Sequence, residues 1–462
     1  MWTQNGRKVL LSGKQRLHYK ISYQDSKEGK SKMRINKNLL IGASTAAHQV
    51  EGNNTNSDCW VLENMENSMW TEPSGIADDH YNRYEEDIKL MAETGYQAYR
   101  FSIEWARIEP EKGKYNDAEV QHYKNVLLCC EKYNIIPIVT MHHFSSPAWL
   151  MQNGGWESEE TPDLFAEYCG YIARKLGKHI PYICTINEAN MGLQIAKLMK
   201  HYMPSQCKKE EKSSTGTVQL GINTDAEQYM KNYMESVGKA FRTEPNNVQI
   251  FISARSHRGD QLVMEAHIKA REIIRKISPG TKVGLTLSLF DYQPVSGGEN
   301  RSEKEWDDDF KHYLPAIRDD DFLGVQNYTR KLIGKDGDLE PAEGVRLTLA
   351  GYEFYPEALG HVIRHVAEDW KKPIFVTENG IATNNDEERV EYISEALKGV
   401  QSCINEGINV KAYLHWSLMD NYEWQAGYSQ TFGLIAVNRT TMERKPKPSF
   451  SFLGGVAQKR EV

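Results

Sequence analysis

Short apolar, β-branched runs alternating with helix-length amphipathic segments constrain this chain more than any other feature, because that alternation is the pattern of repeated βα units around a parallel sheet. Eight such runs occur, at residues 39–44, 98–105, 136–143, 182–189, 282–289, 321–329, 373–380 and 410–418. Between the first two, Tyr84, Ile88 and Met91 recur at helical spacing before a stop at Gly95, as an outer helix of a barrel should read. Residues 191–279 are too long for one crossover. They carry a polar insert at 208–217 and a helical run at 264–277, and read as a loop excursion, not a domain boundary. The predicted fold class is α/β, a single (β/α)8 TIM barrel with long βα loops, which 462 residues accommodate.

Residues 1–32 are rich in Lys, Arg, Gln and Ser and lack a long apolar period, so residues 1–34 are expected to be a flexible N-terminal extension and 35–455 the barrel. Seven cysteines without paired metal-ligand spacing argue against a disulfide framework and for reduced packing thiols. A net charge of −7 offers no attraction for nucleic acid or an anionic membrane. No run of eighteen apolar residues and no cleavable apolar leader is present, so a cytoplasmic location is expected. A homo-oligomer is left open.

Active sites of such barrels form at the C-terminal ends of the strands, so the polar residues that close apolar runs carry the functional reading. The fourth run closes in Asn187-Glu188 and the seventh in Glu378-Asn379-Gly380. Two carboxylates meeting at one mouth are what acetal cleavage requires: one protonates the leaving oxygen and the other stabilises or captures the oxocarbenium-like centre. His142-His143 close the third run and Arg100 lies in the second. These offer donors to hydroxyls and a cation to hold a nucleophile ionised. Metal chemistry is the competing use of His142, His143, Glu188 and Glu378, but adjacent histidines on a strand face opposite ways, so no metal and no cofactor is expected. The eighth run leads into a segment carrying Trp416, Glu423 and Trp424, aromatic rings interleaved with carboxylates as in a sugar platform.

With those motifs in view, the chain resembles glycoside hydrolase family 1, the β-glucosidase and β-galactosidase family, over about residues 39–450. The resemblance rests on Ile41-Gly42-Ala43-Ser44-Thr45-Ala46-Ala47-His48-Gln49-Val50-Glu51-Gly52, Tyr99-Arg100-Phe101-Ser102-Ile103-Glu104-Trp105, Thr185-Ile186-Asn187-Glu188, Val376-Thr377-Glu378-Asn379-Gly380 and the block from Trp416 to Leu434. It implies Glu188 as general acid/base and Glu378 as nucleophile, with Arg100 and Tyr328 contacting Glu378. It further implies Gln49, His143, Asn187, Gln326, Tyr328, Trp416, Glu423 and Trp424 as substrate-binding residues. The implied substrate is a small-molecule or oligosaccharide β-glycoside, cleaved at a terminal non-reducing sugar. Family members that act on 6-phosphorylated sugars replace the Glu423 carboxylate and add Ser, Lys and Tyr nearby. Here no Lys or Arg lies in the segment from Trp424 to Gln430, which implies an unphosphorylated sugar. The chain departs from the family at Ala189 (usually Pro), Phe144 (usually Trp) and Gln326 (usually Asn), and the loop ending in Ala-Pro-Gly is not recognisable in residues 191–207. Two other readings stand beside hydrolysis: glycosyl transfer to another acceptor, and an inactive β-glycoside-binding protein.

Overall fold

The computed structural model describes residues 33–202 and 224–462. The expected extension up to residue 32, the polar insert at 208–217 and Cys207 lie outside the described residues. Each of the eight apolar runs forms a strand: β1 (Leu40–Ser44), β2 (Ala98–Ser102), β3 (Ile136–His142), β4 (Tyr182–Ile186), β5 (Lys282–Ser288), β6 (Phe322–Gln326), β7 (Ile374–Asn379) and β8 (Val410–Trp416). They pair in parallel and close into one barrel, β1 lying between β2 and β8. Almost every residue of these strands is buried, which is why they read as continuous apolar runs and not as alternating ones.

Eight helices surround the barrel: α1 (His80–Thr94), α2 (Asp117–Lys132), α3 (Thr161–Leu176), α4 (His257–Ile277), α5 (Glu299–Asp309), α6 (Ala358–Asp369), α7 (Asp386–Asn405) and α8 (Pro448–Lys459). Their ends follow local chemistry. Helix α1 stops where Gly95 adopts φ 100°, and α4 and α7 start at side-chain caps, Ser256 to the Gly259 N–H and Asn385 to the Glu387 N–H. The expected loop excursion after β4 is largely helical, with helices at Met191–Tyr202 and Thr224–Phe241 ahead of α4. Chain is also packed beyond both edges of the expected barrel unit. Met33 N–H donates to the Val462 carbonyl at 3.0 Å, and α8 with the residues after it closes against β1.

The barrel interior is divided along its axis. At the N-terminal end Phe322 and Phe375 stack with ring centroids 4.5 Å apart and Tyr182 lies 5.1 Å from Phe375, forming an apolar plug. At the C-terminal end the inward side chains become polar and charged, beginning with Arg100 on β2. Strand β7 carries a register shift between Val376 and Glu378 against β6, a bulge of the kind that re-aims a side chain at a barrel rim. Just past it, Gly380 passes so close to β8 that a Cβ would stand 2.0 Å from the Trp416 carbonyl oxygen.

A buried ion pair ties the last part of the chain to the first crossover. Arg444, from a short antiparallel ribbon (Ile435–Val437 with Arg444–Pro446), donates to both carboxylate oxygens of Asp87 on α1, at 2.7 and 2.8 Å. Both side chains are fully enclosed. Removing one partner strands the other charge, at a cost of about 3–5 kcal/mol. Arg444→Met should therefore lower the melting temperature by several degrees, whereas Arg83→Met, in an exposed pair with Asp79 and Glu86, should move it by about 1 °C or less; equal small shifts in thermal denaturation would count against this anchor.

Candidate active site

At the C-terminal mouth, Glu378 at the end of β7 is held by three donors. Arg100 Nη1 reaches its Oε1 at 2.5 Å, Gln326 Nε2 reaches the same oxygen at 2.9 Å, and Tyr328 Oη reaches Oε2 at 2.5 Å. Arg100 itself is completely buried, and its Nη2 donates to Asn187 Oδ1 at 2.6 Å. Gln326 Nε2 donates to that oxygen too, at 2.7 Å. Arg100, Gln326, Asn187 and Glu378, from four strand ends, therefore form one hydrogen-bonded unit.

Glu188 follows Asn187 and sits at φ 43°, the left-handed region that costs a non-glycine residue about 1 kcal/mol or more. Its backbone is pinned on β5: Glu188 N–H donates to Thr286 Oγ1 at 2.9 Å and Ala189 N–H to the Thr286 carbonyl at 3.1 Å. Asn190 then exchanges two hydrogen bonds with Ser288, at 2.7 and 3.0 Å. Phe144 (φ 71°) and Trp424 (φ 49°) share that strained backbone region.

Gln49, on a one-turn helix after β1, donates from Nε2 to the Tyr422 carbonyl at 2.8 Å and to Glu423 Oε2 at 3.2 Å. Its Oε1 is buried without a partner. His143 lies 3.1 Å from Asn187 Nδ2 through Nε2 and stacks on Trp416 at 5.5 Å. Burial, then the charge of Arg100, pushes its imidazole well below the usual range, so it is neutral. With Asn187 donating to Nε2, the hydrogen-bond network assigns the ring proton to Nδ1, which has no protein partner. Trp424 stacks nearly parallel on His48 with centroids 5.7 Å apart.

Glu188, Tyr328, Tyr352, Glu378, Trp416, Glu423, Trp424 and Phe432 enclose a cavity of about 170 Å³. A larger cleft of about 870 Å³, lined by Ile136, His179 and Tyr182, lies at the other end of the barrel and contains neither glutamate. Three carboxylates thus share one small space with one buried arginine. Burial and the charge of Glu378 push Glu188 up to about 8, and the same two causes push Glu423 up to about 8. Burial raises Glu378 as well, but Arg100 and Tyr328 pull it back down. The arrangement keeps a proton on Glu188 beside a carboxylate built to be ionised.

Every residue expected to bind or cleave the sugar, from Gln49 and Arg100 to Trp424, is brought to this mouth. His142 is not: it points outward among Trp156, Phe165 and Phe251. Among the described residues no group of three His, Cys, Asp or Glu is placed to hold a metal ion, and no helix is long and apolar enough to cross a membrane. The six described cysteines are free and buried. Sequence reasoning missed Tyr352, which lies in a long irregular segment and ends no strand. It also left out Phe432, quoted only as part of a motif.

Residues 31–340 and 310–462 match the model of glycosyl hydrolase family 1. The β-glucosidase A of Acetivibrio thermocellus is 30% identical, over 91% of this chain and 97% of its own length. A 6-phospho-β-galactosidase of Staphylococcus aureus is 28% identical, over 92% of this chain and 98% of its own. Among solved structures, the β-glycosidase BGL167 superposes with a TM-score of 0.82 at 41% identity, covering 92% of this chain and 98% of that one.

The raised carboxyls carry a stability signature. A Glu423 with its pKa moved from 4.5 to about 8 favours the folded state while protonated, and that contribution is lost as pH rises from 4.5 through 8. Glu423→Gln should match the unsubstituted protein in melting temperature near pH 5 and exceed it at pH 8; the same difference at both pH values would contradict the buried, protonated carboxyl.

Proposed function

This chain belongs to glycosyl hydrolase family 1, and we propose that it hydrolyses terminal non-reducing β-D-glucosides of unphosphorylated sugars with net retention. Glu188 is the general acid and base, and Glu378 the nucleophile. The observation that supports this division is the unequal treatment of the two carboxylates: Glu378 accepts from Arg100, Gln326 and Tyr328, whereas Glu188 is buried beside that charge and keeps its proton.

In the first step Glu378 attacks the anomeric carbon while Glu188 protonates the glycosidic oxygen, releasing the aglycone. Glu378, now esterified, no longer carries the charge that raised Glu188, so Glu188, left as a carboxylate by the first step, stays ionised until it takes a proton from the incoming water. Attack of that water from the face the aglycone left restores the β configuration. Gln49 Oε1 and His143 Nδ1, both without protein partners, and the Glu423 carboxyl meet the hydroxyls of the bound sugar, and Trp416 and Trp424 face its C–H surfaces.

Glu188→Gln should lose about 10²- to 10⁴-fold in turnover on a β-glucoside with a poor leaving group. With an activated aryl leaving group the first step needs little protonation, so azide should restore turnover and yield the β-glucosyl azide. Equal, unrescuable loss on both substrates, or an α-azide by NMR, would overturn the proposal.

The relative from Staphylococcus aureus raises the alternative of a 6-phosphorylated sugar. Among the described residues no Lys or Arg lines this cavity, and the guanidinium of Arg100 next to it is already engaged by Glu378 and Asn187. A dianion would share this small cavity with the ionised Glu378 and have no cation beside it, and unit like charges about 4 Å apart cost around 4 kcal/mol at a surface-like dielectric. The specificity constant for an aryl β-glucoside should exceed that for its 6-phosphate by about a hundredfold or more. A preference for the phosphate refutes the neutral-sugar reading.

A further inference from the structure

Arg255 is a buried cation that the mechanism above does not use. It is 5% exposed, and its hydrogen bonds go to two backbone carbonyls and, among the described residues, to no carboxylate: Nη1 donates to Ala189 at 3.0 Å and Nη2 to Phe251 at 2.7 Å. The guanidinium lies over the Phe251 ring, 4.4 Å from its centroid, and burial holds it below the usual arginine range. A charge taken out of water without a counter-ion is costly, and an apolar side chain of similar length would fill the space without that cost. What an apolar side chain cannot supply is a charged donor, whose hydrogen bonds are roughly twice as strong as neutral ones.

One of the two carbonyls belongs to the residue after the acid. Glu188 sits at φ 43°, a conformation that persists only where the surroundings over-determine it. The N–H side of this turn is bonded to the barrel: Asn187 N–H to the His142 carbonyl at 2.8 Å, Glu188 N–H to Thr286 Oγ1 at 2.9 Å and Ala189 N–H to the Thr286 carbonyl at 3.1 Å. On the carbonyl side Ala189 is held by Arg255, so the peptide is gripped from both edges. The Arg255 N–H also donates to the Gly192 carbonyl at 3.1 Å, and a Cβ on Gly192 would stand 2.6 Å from Arg255 Cζ. Glycine at that position makes room for the guanidinium.

Arg255 is itself set by rigid chain. Ser256 caps α4, and its N–H donates to the Glu157 carboxylate at 2.7 Å, while Trp156 N–H donates to the Gln249 carbonyl at 3.0 Å. Phe251 is fully buried against Phe144 and Trp156, with ring centroids 5.8 and 5.0 Å away. The segment is thus tied to the loop after β3 and reaches across to the turn after β4. Arg255 is not among the residues that enclose the catalytic cavity, so it acts through the backbone of Ala189 and not on the sugar.

We infer that Arg255 is a positioning residue for the acid: through the Ala189 carbonyl it keeps Glu188 aimed at the leaving oxygen. This rests on the function proposed above. Arg255→Met removes both charged donors and keeps an apolar chain over Phe251. Specificity constants, which report the steps up to release of the aglycone, should be compared for the intact and substituted proteins on methyl β-glucoside and on dinitrophenyl β-glucoside. The first leaving group needs a proton and the second does not. Arg255→Met should lose about tenfold more on the methyl glucoside than on the dinitrophenyl one, whereas a merely structural role would lower both together or move only the melting temperature. Arg255→Lys, which keeps a charged donor for one carbonyl, should fold and show the same discrimination at about threefold, so it carries the comparison if Arg255→Met does not fold. Equal loss on both glucosides overturns the assignment, as does no loss on either. Failure of the intact protein to cleave either glucoside would instead refute the function on which it rests.

Discussion

The ion pair between Arg100 and Glu378 crosses the mouth of the barrel from β2 to β7, strands that are not neighbours, and the site is arranged around it. Taking two charges out of water costs several kcal/mol per ion, which mutual attraction offsets only when the remaining lone pairs and protons are satisfied. That requirement recruits Asn187 for the second arm of the guanidinium, and Gln326 and Tyr328 for the carboxylate. Asn187 is the residue before Glu188, so the partner of the nucleophile's cation also places the acid. Burial, with the positive charge of Arg100, keeps His143 neutral, with its Nδ1 unpartnered among the described residues.

One arginine can neutralise one carboxylate, and the cavity contains three. The other two, Glu188 and Glu423, hold their protons because they are buried and lie close to the charge of Glu378. For Glu188 this is useful, since an acid poised near neutrality is what the first step needs. The cost appears in stability: buried carboxyls that resist ionisation, and three site residues, Phe144, Glu188 and Trp424, in a backbone region that disfavours side chains. The regular strands and the apolar plug beneath supply the rigidity that holds them there.

Much of this was legible in the sequence because parallel barrel strands are buried on both faces and so appear as unbroken apolar runs, each with its functional residue at the C-terminal end. Glu188, Glu378, Arg100 and His143 were found that way. The orientation of His142 followed from alternation along a strand. Gln49, Gln326 and Tyr328 needed the family resemblance, since a loop glutamine or tyrosine has no periodicity to mark it, whereas Glu423 was marked by the aromatic rings around it. Tyr352 escaped both routes. Its position depends on Arg330 gripping Glu353 across an irregular segment, a contact between residues 23 apart that no local pattern announces. The helices at Met191–Tyr202 and Thr224–Phe241 were missed for a related reason: they lie outside the strand and helix repeat that made the rest readable.

Gln326 shows how a departure from the family pattern can leave the chemistry in place while altering its surroundings. Asparagine and glutamine present the same carboxamide, and glutamine adds one methylene of reach. Here the nitrogen spans Asn187 at 2.7 Å and Glu378 at 2.9 Å, so the donor the nucleophile needs is retained. The oxygen is the difference: it is buried with no partner among the described residues, as are Gln49 Oε1 and Tyr352 Oη. Polar atoms that the protein leaves open can pair with the hydroxyls of a polyhydroxylated ligand, which an apolar molecule of the same size does not offer.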